Sequence, residues 1–245
     1  TGSVQSGHYT TKYTVVRDGT TVSNNITSSQ TYSAEGNYTV TVTTYDQSGR
    51  YSTRSYTFMI DKTAPVCGTI SGQSTTWINS TRNISVACSD PNGVAKSGCT
   101  SSSFSGSWSS STKTSSITIK DQAGNTKVCG VNVYVDVDKP TCGTISGQST
   151  TWTASNRTIS VNCNDTGGSS CTKTSFSNTW STSSKTSTIT ISDVAGNTRA
   201  CSVNVYVDKD HPYCSSPVKT VTYEPVGVSG YWDCNDDHSG CASSR

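Results

Sequence analysis

Apolar and polar residues alternate along several short segments of the chain. In 129–135 every second residue is apolar, and the same alternation recurs in 84–88 and in 117–119. A period of two predicts β-strands, because successive side chains of a strand point to opposite faces of a sheet. Clusters of Gly, Asn, Asp and Ser separate these segments. Several short strands within about 70 residues predict a β-sandwich.

A long internal repeat organises the chain. The eleven residues from Cys67 to Trp77 recur unchanged from Cys142 to Trp152, and the segment 117–125 recurs with two substitutions as 189–197. The offset between the copies is 75 residues at the start and 72 at the end. The difference falls between the second and third cysteines of each copy, which predicts that a loop absorbs it.

Partial copies flank the two complete ones. A third copy begins at Cys214, and the segment 45–60 matches the end of a cysteine-free relative. We therefore expect a partial unit over 1–64, complete repeats over 65–139 and 140–211, and the truncated start of a third repeat over 212–245. This series indicates a piece of a longer array, with any export signal upstream.

Composition narrows the class of structure and the partners. The chain has no leucine and one methionine, while Thr, Ser, Val and Tyr dominate, so strands are expected rather than helices. The formal net charge of +2 gives no electrostatic reason to expect nucleic acid as a partner. No segment is long and apolar enough to predict membrane insertion. Eleven cysteines favour an oxidising, extracellular compartment.

The cysteines predict disulfides rather than a zinc site. No close Cys-x-x-Cys pair occurs, and no histidine lies within a complete repeat. Four cysteines in each repeat allow three connectivities. We favour a local bond across the loop of variable length and a second bond between the first and last strands, typically worth about 2–4 kcal/mol. The favoured pairs are Cys67–Cys129, Cys88–Cys99, Cys142–Cys201, Cys163–Cys171 and Cys234–Cys241.

The disulfide pattern leaves one cysteine over and one alternative open. Cys214 is expected to be unpaired in this chain, because the repeat places its partner beyond Arg245. The alternative connectivity joins Cys88 to Cys129 across the two sheets, as in antibody-type domains. Both of those cysteines occupy inward-facing strand positions, so sequence alone does not choose between the two patterns.

One cluster near the end of the chain could be interpreted as catalytic. Asp236, His238 and Cys241 lie close together, as a thiol nucleophile and its base would. However, Cys241 occupies the same repeat position as Cys171, which has no nearby histidine, so we interpret it as a structural cysteine. No catalytic motif stands out elsewhere. We expect neither an enzyme nor a bound cofactor.

The junctions between repeats carry paired aspartates that could attract calcium. Asp136 with Asp138, and Asp208 with Asp210, offer two carboxylates at each junction, whereas calcium takes six to eight oxygen ligands. A lysine lies within or beside each pair. These features favour a solvated hinge without a metal over a calcium site.

Aromatic residues recur in register and could bind sugars. Trp77 and Trp152 are interpreted as core side chains, because a repeated tryptophan in a unit so poor in apolar residues is needed for packing. Tyr134 and Tyr206 lie opposite the inward-facing valines and are the better candidates for an exposed contact.

Two short motifs stand at fixed places in the repeat. Asp-x-Ala-Gly-Asn occurs at Asp121–Asn125 and Asp193–Asn197, and a Val-x-Val strand then leads to a junction of the kind seen at Asp61–Pro65. This combination resembles bacterial immunoglobulin-like (Ig-like) tandem repeats of large Gram-positive cell-surface proteins. The resemblance implies tandem Ig-like β-sandwiches, surface display and spacing, with adhesion in some members, and no catalytic residues. The cysteines depart from the pattern, since many such repeats have none.

Two functions are compatible with these observations. The first is a non-catalytic stalk or spacer within a secreted or cell-surface protein, such as an adhesin, at the cell surface or in the cell wall. Its partners are the neighbouring Ig-like units of the same chain. The alternative is an Ig-like module that binds a glycan or a host surface protein and is accessory to a secreted enzyme. Duplication of Cys67–Trp77 favours the spacer, because duplicated faces serve no single ligand unless avidity matters.

Overall fold

The structure is a computed structural model that describes residues 7–91, 95–214 and 234–241. All regular secondary structure within these ranges is β-strand, and no helix occurs there. The all-β prediction is therefore confirmed. No helix in these ranges could cross a membrane. Much of the predicted third repeat lies outside the described residues, as does the side chain of Cys214.

The N-terminal part of the chain forms one antiparallel sheet of four strands, in the order β2-β1-β3-β4. The strands are β1 (His8–Arg17), β2 (Thr20–Ile26), β3 (Gly36–Asp46) and β4 (Tyr51–Ile60). Alternating side chains place Val15 and Tyr38 on one face, where both are buried. The ring of Phe58 stacks on Tyr38 with centroids 4.8 Å apart. Tyr56 on the same edge strand stays largely exposed.

Each complete repeat consists of five strands in two sheets, and the two repeats have the same strand order. The first repeat comprises β5 (Val66–Ser71), β6 (Arg82–Ser89), β7 (Ser103–Trp108), β8 (Thr112–Lys120) and β9 (Thr126–Val135). The second comprises β10 (Thr141–Ser146), β11 (Arg157–Asn164), β12 (Ser175–Trp180), β13 (Ser184–Ser192) and β14 (Thr198–Val207). Three strands form one sheet, β5-β6-β7 or β10-β11-β12, and the last two form the other. The short strands β15 (Tyr213–Cys214) and β16 (Cys234–Asn235) pair farther along the chain.

The core of the second complete repeat lies between its two sheets. Ile159 and Val161 of β11 face Ile191 of β13 and the inward residues of β14 in one apolar cluster. The equivalent residues of the first complete repeat are also buried, from Ile84 to Val133. Two sheets enclosing a shared apolar layer define a β-sandwich. The Ig-like assignment and the boundaries of the units stay predictions.

A hairpin and a bulge shape the last two strands of each repeat. Gly124 and Gly196 have φ of 100° and 96°, which the tight turns at the Ala-Gly-Asn motifs require. Tyr206 also has a positive φ, of 49°, where the pairing of β13 and β14 shifts register. This is a β-bulge, and Tyr134 adopts the same backbone conformation in the first repeat.

Contacts divide the chain into two compact units. One comprises the chain up to Ser74 together with Arg82–Trp108 and Thr114–Val133. The other comprises Thr75–Thr81, Ser109–Lys113 and the chain from Tyr134 onward. The second unit therefore contains the final residues of one repeat as well as the body of the next.

Five disulfides join cysteines of the described residues. The bonds are Cys67–Cys129, Cys88–Cys99, Cys142–Cys201, Cys163–Cys171 and Cys234–Cys241. Each repeat therefore has one bond between its first and last strands and one across a short loop. The alternative Cys88–Cys129 bond is not formed, because both cysteines have other partners.

We predict that the long-range disulfide contributes more to stability than the short one. The chain-entropy relation gives about 4 kcal/mol for the loop between Cys142 and Cys201 and about 2.5 kcal/mol for the loop between Cys163 and Cys171. Replacing Cys142 and Cys201 by alanine should therefore lower the unfolding temperature more than the same change at Cys163 and Cys171. Calorimetry of both full-length variants measures this, and the reverse order would contradict it.

Candidate functional site at the repeat junctions

A buried aspartate follows the last strand of each unit. Asp61 comes after β4, Asp136 after β9 and Asp208 after β14, and their exposed fractions are 8%, 0% and 7%. The prediction of a solvated hinge is therefore wrong for Asp136 and Asp208, although Asp138 and Lys139 are exposed. Asp136 directly follows Val135, the last residue of β9. It is buried because other residues cover it.

The carboxylate of Asp136 accepts hydrogen bonds from two segments. The backbone N–H of Ser169 donates to Asp136 Oδ2 over 2.8 Å. The hydroxyl of Ser111 and the backbone N–H of Asp138 both donate to Oδ1, each over 3.1 Å. A buried carboxylate needs such donors, because an unpaired charge in the interior is strongly disfavoured.

The backbone of the same junction is held by Asn197. Its side-chain amide donates to the carbonyl oxygen of Asp136 over 2.9 Å and to Asp193 Oδ2 over 2.8 Å. Asp193 and Asn197 are the first and last residues of an Asp-x-Ala-Gly-Asn turn. The turn motif therefore does more than reverse the chain, since its asparagine contacts the preceding junction. We call the contacts of Asp136, Ser169 and Asn197 the junction clasp.

The same clasp is present at Asp61. The backbone N–H of Ser97 donates to Asp61 Oδ2 over 2.8 Å, and the amide of Asn125 donates to the carbonyl oxygen of Asp61 over 3.1 Å. At the next junction, the backbone N–H of Ser239 donates to Asp208 Oδ2 over 3.0 Å. The serine contact thus follows the register of the repeat at all three junctions, and the asparagine contact follows it at the first two.

The hydrogen bonds keep the junction aspartates ionised. Burial alone would raise the pKa of Asp136, but the hydrogen bonds from Ser169, Asp138 and Ser111 outweigh it, so the pKa lies below its ordinary value. The same balance, with Ser97 and Thr63 as donors, lowers the pKa of Asp61. These carboxylates are therefore charged at neutral pH.

A short disulfide closes each loop that donates to the clasp. Ser97 lies two residues before Cys99, and Ser169 lies two residues before Cys171. The bonds Cys88–Cys99 and Cys163–Cys171 fix the ends of these loops on the preceding strand. The local disulfide therefore limits how far the donor N–H can move.

The loop before Ser169 contains two glycines that allow close packing. A Cβ atom on Gly167 would lie 2.8 Å from Asp136 Oδ1, and Gly168 has φ of 128° with the ring of Trp77 against it. A larger residue at position 167 would push the loop away from the carboxylate. The absence of side chains at these glycines lets the loop approach Asp136 closely, and the hydrogen bonds then hold the loop there.

Each complete repeat carries an aromatic cluster beside the junction. The rings of Trp77 and Tyr134 lie 5.0 Å apart, and Lys113 Nζ lies 5.7 Å from the Tyr134 centroid. Trp152 and Tyr206 repeat this arrangement at 5.0 Å. Both tyrosines are half-buried. The suggested exposed contacts at Tyr134 and Tyr206 are therefore engaged within the protein, mainly by a tryptophan.

Three carboxylates approach one another at each of the first two junctions. Oxygen atoms of Asp136, Asp165 and Asp193 all lie within 4.8 Å of one another. Asp61, Asp90 and Asp121 form the equivalent group. We call these groups the aspartate triads, and they are places where the described residues could hold a cation. The sequence hypothesis had paired Asp136 with Asp138 instead.

The residues considered for thiol catalysis have structural partners. Cys241 is bonded to Cys234, so it offers no thiol. His238 Nδ1 lies 3.0 Å from Asp210 Oδ2, and its ring makes an edge contact with Trp152. His238 therefore contacts residues of the junction that follows β14, which we call the third junction.

Sequence analysis missed the serine donors and the bridging role of the asparagines. Ser97, Ser169 and Ser239 each stand two residues before the second cysteine of a short disulfide. This Ser-x-Cys register was visible in the repeat. However, serine is common in this chain, and the donor is the backbone N–H, which every residue except proline carries.

Comparisons with known proteins give only weak similarities. No protein-family model and no curated protein matches the chain. A 1.5-MDa bacterial ice-binding adhesin is 17% identical, with a TM-score of 0.26 over 83% of this chain and 88% of that one. A Ca²⁺-stabilised ice-binding adhesin of an Antarctic bacterium is 15% identical, with a TM-score of 0.28 over 85% and 69%.

A third similar structure is a Bacteroides ovatus protein, SGBP-B of a mixed-linkage glucan utilisation locus, in complex with a heptasaccharide. It is 13% identical, with a TM-score of 0.17 over 85% of this chain and 62% of that one. Such low scores carry no argument about the function of this chain.

We predict that removing the Asn197 amide weakens the second unit. Asn197→Ala leaves Asp193 Oδ2 and the carbonyl oxygen of Asp136 without their shared donor, which should cost about 1–3 kcal/mol. The unfolding temperature measured by calorimetry should fall. Asn178→Ala, at an exposed position of β12, is the matched control and should change it little. Equal effects of the two substitutions would contradict the clasp.

Proposed function

We propose that this chain is a non-catalytic spacer segment of a secreted or cell-surface protein, in which successive Ig-like units are held by junction clasps. Repetition carries this proposal: the full clasp occurs at Asp61 and Asp136, and its serine contact recurs at Asp208. A binding or catalytic site needs to occur once, whereas a contact that recurs at every junction serves the joining of units. Its mechanism is to restrict bending between neighbours, so that whatever follows in the parent protein is held away from the surface.

The covalent pattern supports an extracellular location. Five disulfides in the described residues are typical of proteins that leave the reducing cytosol. Small polar sandwiches need such bonds because their cores are thin. The same bonds suit a segment that must resist unfolding and proteolysis outside the cell.

A specific observation favours glycan or host-protein binding as the second candidate. One face of the N-terminal sheet bears a groove of about 640 Å³ lined by Tyr13, Tyr32 and Phe58, among others. Tyr56 nearby is 61% exposed. Aromatic rings around an open groove can stack on sugars. This face belongs to the unit without cysteines. A binding function there would therefore be separate from the spacer function of the two complete repeats.

Restricted motion between the repeats tests the spacer proposal. Spin labels introduced through unnatural amino acids at the exposed residues Val128 and Val194 of the full chain should give one narrow distance distribution. Asn197→Ala should broaden it, and Asn178→Ala should not. A distribution that is already broad in the unmodified chain would show a flexible linker and overturn the proposal.

Glycan binding is tested separately. The full chain should be applied to a glycan array together with a Tyr56→Ala and Phe58→Ala double variant. The spacer proposal predicts no saturable signal. Saturable binding that the double variant loses would establish the second candidate, whatever the stiffness of the junctions.

A further inference from the structure

The aspartate triad of the second unit concentrates negative charge in the protein interior. Asp136 and Asp193 are 0% and 1% exposed, and Asp165 lies beside them with an oxygen within 4.8 Å of both. The donors that reach this triad are neutral N–H and O–H groups, which orient the carboxylates but leave their charge in place. Carboxylates this close repel one another, and a bound cation would offset that repulsion.

No basic side chain of the described residues compensates this triad. Among the described residues, ion pairs join Arg50 to Asp46 and His238 to Asp210. Both lie outside the triads formed by Asp61 and Asp136. At the third junction, by contrast, a histidine is present, and His238 Nδ1 lies 3.0 Å from Asp210 Oδ2.

One oxygen of the triad lacks a protein partner. Asp165 Oδ1 accepts a hydrogen bond from the backbone N–H of Gly167 over 3.0 Å. Asp165 Oδ2 has less than 1 Å² of exposed surface and no hydrogen-bond partner among the described residues. A carboxylate oxygen that is both inaccessible and unpaired is costly, and such a group calls for an unrecognised ion or water.

The equivalent triad has the same unpaired oxygen. Asp90 Oδ2 accepts from the backbone N–H of Gly98 over 2.7 Å, while Asp90 Oδ1 is inaccessible and has no partner among the described residues. Asp61 and Asp121 complete this triad, and both are buried. The recurrence of one free, buried oxygen at the same repeat position points to a shared ligand.

We propose that each aspartate triad binds one divalent cation of the calcium class, Asp136, Asp165 and Asp193 forming one site and Asp61, Asp90 and Asp121 the other. Calcium lies about 2.3–2.6 Å from its ligands, so two oxygens on one ion are at most about 5 Å apart, which matches the triads. Carbonyl oxygens and water complete its coordination. The aspartate before the junction and the two from the following repeat then share one ion, which reinforces the clasp.

The choice of calcium over magnesium follows from the ligands. Magnesium keeps several waters and requires near-octahedral geometry, whereas calcium accepts irregular sets of protein oxygens. The triad oxygens are already fixed by hydrogen bonds from Ser169, Gly167 and Asn197, so they cannot rearrange freely around a small ion. The affinity expected is that of extracellular calcium modules, with dissociation constants of about 0.1–1 mM.

Titration of the full chain with calcium alone tests the proposal. The chain is freed of metal with EDTA, dialysed and titrated with CaCl₂ by calorimetry, and thermal unfolding is followed in parallel. We expect two saturable sites and a rise in unfolding temperature with CaCl₂. Asp165→Asn should remove one site, Asp90→Asn the other, and the double variant both. Asp18→Asn, an equal change of charge at an exposed turn, is the control and should keep both.

Several outcomes would overturn the proposal. Absence of calcium binding in the intact chain would show that the triads hold no calcium ion. Binding that survives in the double variant would place the ion elsewhere, and equally tight binding of MgCl₂ would remove the calcium assignment. Without metal, Asp165→Asn should unfold no lower than the original chain, because it removes one repelling charge. The unfolding temperature without metal therefore distinguishes loss of the cation site from unfolding of the variant.

Discussion

A buried carboxylate at the end of each unit can be stable only where donors are already in place. Asp136 is inaccessible to solvent, and the donor N–H that reaches it belongs to Ser169, which is 33 residues farther along the chain. An isolated repeat would present this carboxylate to water. The burial of Asp136 and the position of the following repeat's loop therefore depend on each other, and the same dependence recurs at Asp61.

The disulfides take on different roles around this interaction. The long-range bond Cys142–Cys201 closes the sandwich, whose apolar layer is thin and lacks leucine. The short bond Cys163–Cys171 fixes the loop that carries Ser169. A loop held at both ends loses less conformational entropy when it docks, so the hydrogen bonds of the clasp are not offset by its ordering. The short disulfide thus links the covalent structure of the repeat to the junction.

Much of the fold could be predicted from the sequence, and the clasp could not. The alternation in 129–135 is a local signal, and it correctly predicted a strand with buried valines. The burial of Asp136 depends on contacts between residues as far apart as Asn197, 61 positions away, and sequence spacing does not encode such contacts. The sequence offered Asp138 as the neighbouring carboxylate because it is close along the chain, whereas Asp165 and Asp193 approach Asp136 only in the folded chain.

If the junction contacts hold neighbouring units, the junction must be as well ordered as the sandwich core. Amide hydrogen exchange of the full chain tests this most directly. The Ser169 and Ser97 amides should exchange about as slowly as the amide of Val161 in the core strand β11, because each is held by a buried carboxylate. Exchange of both serine amides at the rate of an open loop, with Val161 still protected, would contradict the account and show units joined by a mobile linker.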